Sequence, residues 1–126
     1  MTAIGKIAAV SLDTSDPKGL AGFYAKLLDY EIVFESDEFI ALKGKNGVGI
    51  ATQRVENYVA PSWPAEQVPK QIHLEVSVAN LDDAEAAAIA IGATKPDTQP
   101  SPEHWRDLND PAGPPYSITT MIPLDF

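Results

Sequence analysis

A histidine and a carboxylate lie two residues apart in the most regularly patterned stretch of this sequence, residues 71–78. Apolar and polar residues alternate strictly there, which predicts a strand with one face on a core. His73 and Glu75 fall together on the polar face of that strand. An imidazole beside a carboxylate can transfer protons or hydrogen-bond a ligand, so both are candidate catalytic and ligand-binding groups. The alternative is a histidine with a structural hydrogen bond on a solvated surface.

Aromatic residues are the second set of candidates, because aromatic side chains supply much of the contact area of a ligand pocket. Trp63, Trp105 and Tyr116 are expected to form walls of such a pocket. Trp63 lies in an irregular, proline-bounded segment, where it either fastens the linker to the sheet or closes a cleft. Trp105 alternates with His104 and Arg106, a pattern that also fits a core residue.

The charge balance excludes several classes of partner. Nine basic and eighteen acidic residues give a formal net charge of −9, which repels phosphate backbones and anionic lipids. We therefore expect no nucleic-acid or membrane partner, whereas a cationic amphipathic molecule would be attracted. The chain has no cysteine, which excludes disulfides, thiolate metal sites and thiol nucleophiles. No apolar run approaches the length of a membrane span, so a cytoplasmic location is expected.

The elements that would carry these side chains follow from hydrophobic period and capping residues. Asp16 and Pro17 predict the start of a helix that ends near residues 29–30, and Asn80 and Gly92 bracket a second helix over 81–91. Strands are predicted over 7–14, 31–35, 39–43, 48–55, 71–78, 93–98, 104–108 and 116–122. Residues 56–69 contain three prolines and no period, which indicates a linker or a lid.

The predicted order β-α-β-β-β occurs twice, and this repeat outweighs any single residue signal. Val10 aligns with Leu74, and Asp16 with Asn80, at a common shift (74 − 10 = 80 − 16 = 64). We expect an α+β fold in which two tandem βαβββ modules, about 5–55 and about 70–123, form a curved mixed sheet around a cleft, with the helices outside. The whole chain, 1–126, would be one domain.

Asp13 becomes a candidate through the same repeat, because it aligns with Ser77 on the expected cleft face. Asp13 and Glu75 could perform acid–base chemistry if they lie within hydrogen-bonding reach of a ligand. Alternatively, such carboxylates form buried hydrogen bonds or ion pairs, for which Arg54 and Arg106 are the expected partners.

Short motifs along the chain occur in an order that is similar to one superfamily. They are Val10-x-Leu12, Asp16-Pro17, Phe23-Tyr24-x-x-Leu27-Leu28, Trp63-Pro64, His73-Leu74-Glu75-Val76, Ala90-Ile91-Gly92-Ala93 and Asp110-Pro111-x-Gly113. With them the chain resembles the vicinal oxygen chelate superfamily (glyoxalase I, extradiol dioxygenases, bleomycin-resistance proteins), and more narrowly its bacterial glyoxalase-like domains, from about Ile7 to Met121. The resemblance implies the repeated βαβββ fold and a single glyoxalase-like domain. It implies no particular reaction, because one fold supports many.

The resemblance also implies where a metal would bind. Metal enzymes of the superfamily take one ligand from each of four strands, usually His or Gln at the first and third positions and Glu at the second and fourth. The matching positions here are Ala9, Ala51, His73 and Ser117, with Gln53 two residues beyond Ala51 on the same strand face. Alanine cannot coordinate a metal, and a serine hydroxyl is a poor substitute for a carboxylate. No cofactor is therefore expected, and His73 is the single candidate metal ligand.

Two main classes of function stay open. The first is a small-molecule-binding protein of the bleomycin-resistance type, whose ligand would contact Asp13, Gln53, Trp63, His73, Glu75, Trp105 and Tyr116. The second is a metal-dependent lyase or dioxygenase of the glyoxalase or extradiol type, with a divalent metal at His73 in an atypical site that Gln53 or Glu75 assists. The missing ligands favour the first class. The resemblance to the family implies a homodimer. A dimeric accessory domain that binds no ligand is a third possible function.

Overall fold

Strand pairing separates the chain into two halves, each with its own mixed sheet and one helix. A computed structural model of the protein describes residues 3–45, 47–62, 69 and 72–125. The two compact units are Met1–Tyr58 and Val59–Phe126. The predicted α+β class is confirmed. Trp63, a predicted ligand contact, and Asn46, in the predicted hairpin turn, lie outside the described residues.

The first unit contains a four-stranded sheet and one helix. The strand order is β1-β4-β3-β2, with β1 and β4 parallel and the other neighbours antiparallel. The elements are β1 (Ala9–Thr14), α1 (Pro17–Leu28), β2 (Glu31–Glu35), β3 (Phe39–Lys43) and β4 (Gly49–Arg54). The predicted boundaries of β2 and β3 agree with the structure, whereas β1 and β4 are slightly shorter than predicted.

Helix α1 begins and ends at the residues that the sequence predicts. The Asp16 side chain accepts a hydrogen bond from the Gly19 N–H at 3.1 Å, and Pro17 occupies the first turn, where its missing N–H costs nothing. Asp29 ends the helix in the left-handed conformation, with φ of 55°. The helix buries Leu20 and Phe23 among its core residues and packs on β3 and β4.

Thr52 joins α1 to the sheet through a buried hydrogen bond. It lies on β4 beside Ile40 of β3, and both residues are buried. Its hydroxyl donates to the Pro17 carbonyl at 2.9 Å, which fixes the first turn of α1 on β4. Because the Pro17 carbonyl belongs to the first turn of α1, this bond restrains where the helix can begin.

Thr52→Val is expected to destabilise the first unit by about 0.5–1.5 kcal/mol, because the isosteric valine removes the buried hydrogen bond to the Pro17 carbonyl. Urea unfolding, followed together with hydrogen exchange of the α1 amides, measures the effect. Thr52→Ser is the matched control, since it keeps the hydroxyl and removes only a methyl group. Equal stability of Thr52→Val and the parent protein would contradict the assigned role of this bond.

The second unit contains a three-stranded sheet and one helix. Its strands are ordered β5-β7-β6, with β5 and β7 parallel and β6 and β7 antiparallel. The elements are β5 (Leu74–Ser77), α2 (Leu81–Ala90), β6 (Trp105–Asn109) and β7 (Pro115–Thr119). The predicted strand over 71–78 is shorter in the structure, and His73 immediately precedes β5.

Helix α2 is fixed by its cap and by a charged group on β6. The Asn80 side chain accepts from the Asp83 N–H at 2.9 Å, and Gly92 follows the helix with φ of 121°, so both predicted ends are confirmed. Arg106 Nη1 lies 2.7 Å from an Asp82 carboxylate oxygen and 3.3 Å from one of Glu85. Because Arg106 is on β6, its face of the sheet is the one that α2 covers.

The strand predicted over 93–98 does not form. Thr94 makes only an isolated bridge to Asn109, in which each residue donates its N–H to the carbonyl of the other, at 3.0 and 2.8 Å. Pro96 has no N–H and cannot extend that ladder. The Gln99 side chain takes the next position along β6 instead, with hydrogen bonds to the backbone N–H and carbonyl of Asp107.

Candidate functional site

A chain of two short hydrogen bonds crosses the polar face of the second sheet. His73 Nε2 lies 2.7 Å from Ser117 Oγ, and Ser117 Oγ lies 2.7 Å from Asp107 Oδ1. The three residues come from the start of β5, from β7 and from β6. His73 and Ser117 hold two of the four positions at which the sequence analysis placed potential metal ligands, and the structure joins them directly.

Strand register explains why these side chains meet. Ser117 is the partner of Glu75 on one side and of Asp107 on the other, so the three form one row across the sheet. The backbone N–H and carbonyl of Asp107 bond to Gln99 and so point away from β7. In an antiparallel ladder such residues belong to a non-hydrogen-bonded pair, in which the two side chains approach most closely. The bond between Ser117 and Asp107 is therefore a direct consequence of register.

The polarity of the chain follows from its buried end. An ionised carboxylate only accepts hydrogen bonds, so Ser117 donates its single proton to Asp107. Ser117 Oγ must then accept from His73, which places a proton on His73 Nε2. In the neutral imidazole, Nδ1 is then the nitrogen that accepts a hydrogen bond or a proton. The buried pair thus selects one tautomer of His73.

Exposure decides which member of the chain can meet a ligand. Ser117 and Asp107 are 2% and 4% exposed, so Ser117 is not an available nucleophile. The His73 side chain is 21% exposed, and that of Glu75 is 50% exposed. A carboxylate oxygen of Glu75 lies 3.9 Å from His73 Nε2, a distance at which it can balance a positive charge on the imidazole but is too long for a hydrogen bond. The reachable pair is therefore His73 with Glu75, as the strand pattern predicts.

The other predicted contacts fall in three different places. Asp13 and Gln53 lie in the first unit, where they are register partners on one face of the β1–β4 pair. Trp105 is half-buried on β6, two residues before Asp107 and hence on the same face as Asp107. Tyr116 precedes Ser117 on β7 and so points to the opposite face, where it belongs to the core. Tyr116 is therefore not on the face that carries Ser117, and its role as a ligand contact stays a prediction.

Two residues of this site were not among the predicted candidates, Asp107 and Gln99. A sequence signal existed for the first, because aspartate is uncommon within a strand and is buried there only when it has a partner. Gln99 follows the predicted strand over 93–98, and no local pattern marks a glutamine that bonds to a backbone eight residues away.

Burial raises the pKa of Tyr116 above its ordinary range, and the negative charge of Asp110 adds to this shift. The folded protein therefore keeps the phenol protonated at pH values where an unfolded tyrosine, with a pKa of about 10, has lost its proton. The resulting stability is fully present below about pH 10 and falls as the pH rises further, because the unfolded state then binds fewer protons than the native state.

Tyr116→Phe is expected to reduce this alkaline loss of stability. Urea unfolding at about pH 8 and about pH 10.5 gives the difference in free energy for each protein, and the drop should be smaller in the variant. All other lysines and tyrosines are common to both proteins, so the comparison isolates Tyr116. An identical drop in the two proteins would show that the Tyr116 phenol titrates as it does in the unfolded chain.

The residues at the four positions that match the superfamily's metal ligands do not fit the metal site that the resemblance implies. Ala9 and Ala51 have no donor atom, and Ser117 uses its hydroxyl to bridge His73 and Asp107. Across residues 3–45, 47–62, 69 and 72–125, no three His, Cys, Asp or Glu side chains converge on a point where they could hold an ion. A catalytic divalent metal generally needs about three protein ligands. We therefore derive no chemistry through a metal.

A pocket of about 110 Å³ occurs elsewhere, in the first unit. It contains none of the predicted contacts, and its wall is formed by Lys18, Glu35, Ser36, Asp37, Ile40 and Arg54. Arg54 donates from Nη1 to the Ser15 carbonyl at 3.2 Å and from Nε to the Asp37 carbonyl at 3.3 Å. These bonds give Arg54 a local structural role, so the polar face of the second unit is the stronger candidate site.

Comparison with known proteins gives the family. A family model for the glyoxalase-like domain matches residues 9–119. The chain belongs to the glyoxalase-like domain family. The resemblance to the vicinal oxygen chelate superfamily is thereby confirmed. No curated protein matches this glyoxalase-like chain.

Solved structures share the fold of this glyoxalase-like protein at low sequence identity. A glyoxalase/bleomycin resistance protein/dioxygenase family enzyme from Burkholderia phytofirmans PsJN is 20% identical, with a TM-score of 0.68, 90% of this chain covered and 97% of that chain. A glyoxalase-related enzyme from Fulvimarina pelagi is 22% identical, with a TM-score of 0.64 and coverage of 92% and 88%. The fosfomycin resistance protein FosX from Listeria monocytogenes, a variant in complex with Mn(II) and 1S,2S-dihydroxypropylphosphonic acid, is 11% identical, with a TM-score of 0.72 and coverage of 98% and 97%. At these identities the likeness concerns the fold alone.

Neither helix in the described part of this glyoxalase-like protein has the length and apolar character that a membrane span requires.

Ser117→Ala is expected to destabilise the second unit by about 1–3 kcal/mol, because the buried Asp107 carboxylate loses the hydroxyl that donates to it. Hydrogen exchange of the β6 and β7 amides measures the effect within this unit. Ser77→Ala is a matched control, since Ser77 lies on the same face of the neighbouring strand β5 but outside the row of Glu75, Ser117 and Asp107. Similar exchange in the two variants would mean that the bond from Ser117 to Asp107 adds no stability.

Proposed function

We propose that this glyoxalase-like protein binds a small organic molecule at the polar face of its second unit, with His73 as the central contact and without the metal of the superfamily's enzymes. The observation that carries the proposal is the orientation of a partly exposed imidazole by a buried pair, Ser117 and Asp107. A fixed tautomer on an accessible histidine is suited to directional hydrogen bonding. The second unit alone supplies this arrangement.

The charges near His73 favour a cationic ligand. Glu75 is half exposed beside the imidazole, and the chain has a net charge of −9. A ligand ammonium can pair with Glu75 beside the imidazole of His73, while Trp105, on the face of Asp107, supplies apolar contact. An amine with an apolar body satisfies both groups. A carboxylate or phosphate ligand would meet repulsion from Glu75.

The remaining expectations for this site are proposals of the same kind. Asp13, Gln53, Trp63 and Tyr116 stay predicted ligand contacts. The homodimer and the cytoplasmic location stay predictions as well. The alternative function, a metal-dependent lyase or dioxygenase with His73 in an atypical site, makes a different prediction about ion binding. The two functions can therefore be separated in one set of titrations.

Titration with a panel of apolar amines, their neutral alcohol analogues and matching carboxylates is the direct test. Amines are expected to shift the ring signals of His73 in NMR spectra and to bind more tightly than the other two groups. His73→Ala should weaken amine binding about tenfold or more, because it removes a directed hydrogen bond. Glu75→Gln should weaken amines by about fivefold and leave the alcohols unchanged.

Asp97→Asn is the control for net charge, because Asp97 is an acid of the same unit that lies outside the row of site residues. The proposal would be contradicted if carboxylates bind as tightly as amines. It would also be contradicted if His73→Ala leaves the affinity for amines unchanged. Calorimetric titration with Mn²⁺, Ni²⁺, Zn²⁺ and Fe²⁺ tests the alternative. Tight stoichiometric binding of any of these ions that His73→Ala abolishes would replace the proposed function with the metal-dependent one.

A further inference from the structure

Gln99 forms an unusually complete set of hydrogen bonds for a side chain in an irregular segment. Its Oε1 accepts from the Asp107 N–H at 2.9 Å, and its Nε2 donates to the carbonyls of Asp107 and Pro96, each at 2.9 Å. One amide group thus uses both its acceptor and both its donors. The bonds are partly buried, so they are protected from exchange with solvent.

The amide of Gln99 replaces a missing strand at the edge of β6. The outward-facing backbone groups of β6 need partners, and Thr94 supplies them for Asn109. Two residues earlier on β6, at Asp107, the described part of the chain supplies no backbone partner, because Pro96 interrupts the ladder. A side-chain amide presents an oxygen acceptor and an N–H donor on one edge, so Gln99 bonds to both backbone groups of Asp107 and completes the edge at this position.

The N–H and carbonyl of Asp107 point away from β7, so the edge contact with Gln99 restrains them. The backbone of Asp107 is therefore fixed by Gln99 on one side and by its neighbours along β6. The carboxylate of the same residue receives the Ser117 proton at 2.7 Å on the polar face. Small changes in the backbone angles of Asp107 would move that carboxylate, and the bonds to Ser117 and His73 follow in series.

We infer that Gln99 is a positioning residue for His73. It holds the backbone of Asp107 so that the carboxylate takes the Ser117 proton, and Ser117 in turn selects the Nε2–H tautomer of the imidazole. The role in ligand binding rests on the proposed function, but the effect on the tautomer of His73 does not. Gln99 never touches the ligand in this arrangement, and it acts only through Asp107.

Long-range ¹H–¹⁵N NMR spectra of the histidine rings test this inference on the ligand-free protein. The parent protein should show the neutral ring of His73 mainly as the Nε2–H tautomer. Gln99→Met removes all three bonds at similar volume and should reduce the ratio of the two tautomers by about fivefold, the effect of one hydrogen bond. Gln99→Glu keeps the acceptor for the Asp107 N–H and loses both donors, so an intermediate shift is expected.

The chain offers an internal control, since His104 is its other histidine and bonds through Nδ1 to Ser101 Oγ at 2.9 Å. A general disturbance of the 96–104 segment would move both rings, whereas the positioning role moves that of His73. The cycle with Asp107→Ala, which removes the acceptor of the Ser117 proton, is the second control. In that background Gln99→Met should change the His73 tautomer no further, because the route through the carboxylate is already broken.

An unchanged His73 tautomer in folded Gln99→Met would overturn the inference. If Gln99→Met does not fold, Gln99→Glu decides, and an unchanged tautomer there has the same meaning. A full additional effect of Gln99→Met in the Asp107→Ala background would also overturn it. If the tautomer shifts as expected but no amine binds, the inference stands and the proposed function fails.

Discussion

The hydrogen bond from Ser117 to the buried carboxylate of Asp107 is the constraint on which the polar face of the second unit depends. A carboxylate that is 4% exposed costs several kcal/mol unless a donor satisfies it. Ser117 has one proton, and that proton goes to Asp107. The hydroxyl is then an acceptor for His73, so the demand of a buried charge is transmitted outward to an accessible imidazole. The buried carboxylate of Asp107 therefore determines how His73 is hydrogen-bonded on this face.

Much of the fold could be predicted because its signals are local. The caps Asp16 and Asn80, the apolar stripe of α1 and the repeated order of elements depend on neighbours in sequence, and these elements form where they were expected. The prediction of a strand over 93–98 was wrong, because only one backbone bridge in the described part of the chain, from Thr94 to Asn109, forms at this edge of β6. Pro96 interrupts the backbone pairing, and a distant glutamine supplies what a strand would have supplied. No local pattern distinguishes these two solutions.

The candidate site could be predicted only in part, because only some of its contacts are between neighbours in sequence. His73 and Glu75 share a strand, so alternation alone places them together, and the imidazole and carboxylate lie 3.9 Å apart. Asp107 belongs to the site because the register between β6 and β7 pairs it with Ser117, and the sequence does not specify that register. Tyr116 was predicted as a pocket wall because it is aromatic. It directly precedes Ser117 on β7, and two consecutive strand residues face opposite sides of the sheet. Alternation along β7 therefore excludes Tyr116 from the face that carries Ser117.

Ser117 and Asp107 also fit each other in a way that bears on the missing metal. Register places position 117 directly opposite Asp107 in a pair whose side chains approach closely. A glutamate at 117, the residue type that a metal site requires there, would bring two carboxylates together in a buried row, where one of them would have to be neutralised by a cation or a proton. Serine removes that conflict because it donates to the aspartate and accepts from the histidine. In this protein the fourth ligand position therefore serves a hydrogen-bond relay, and the relay accounts for the orientation of His73 without any ion.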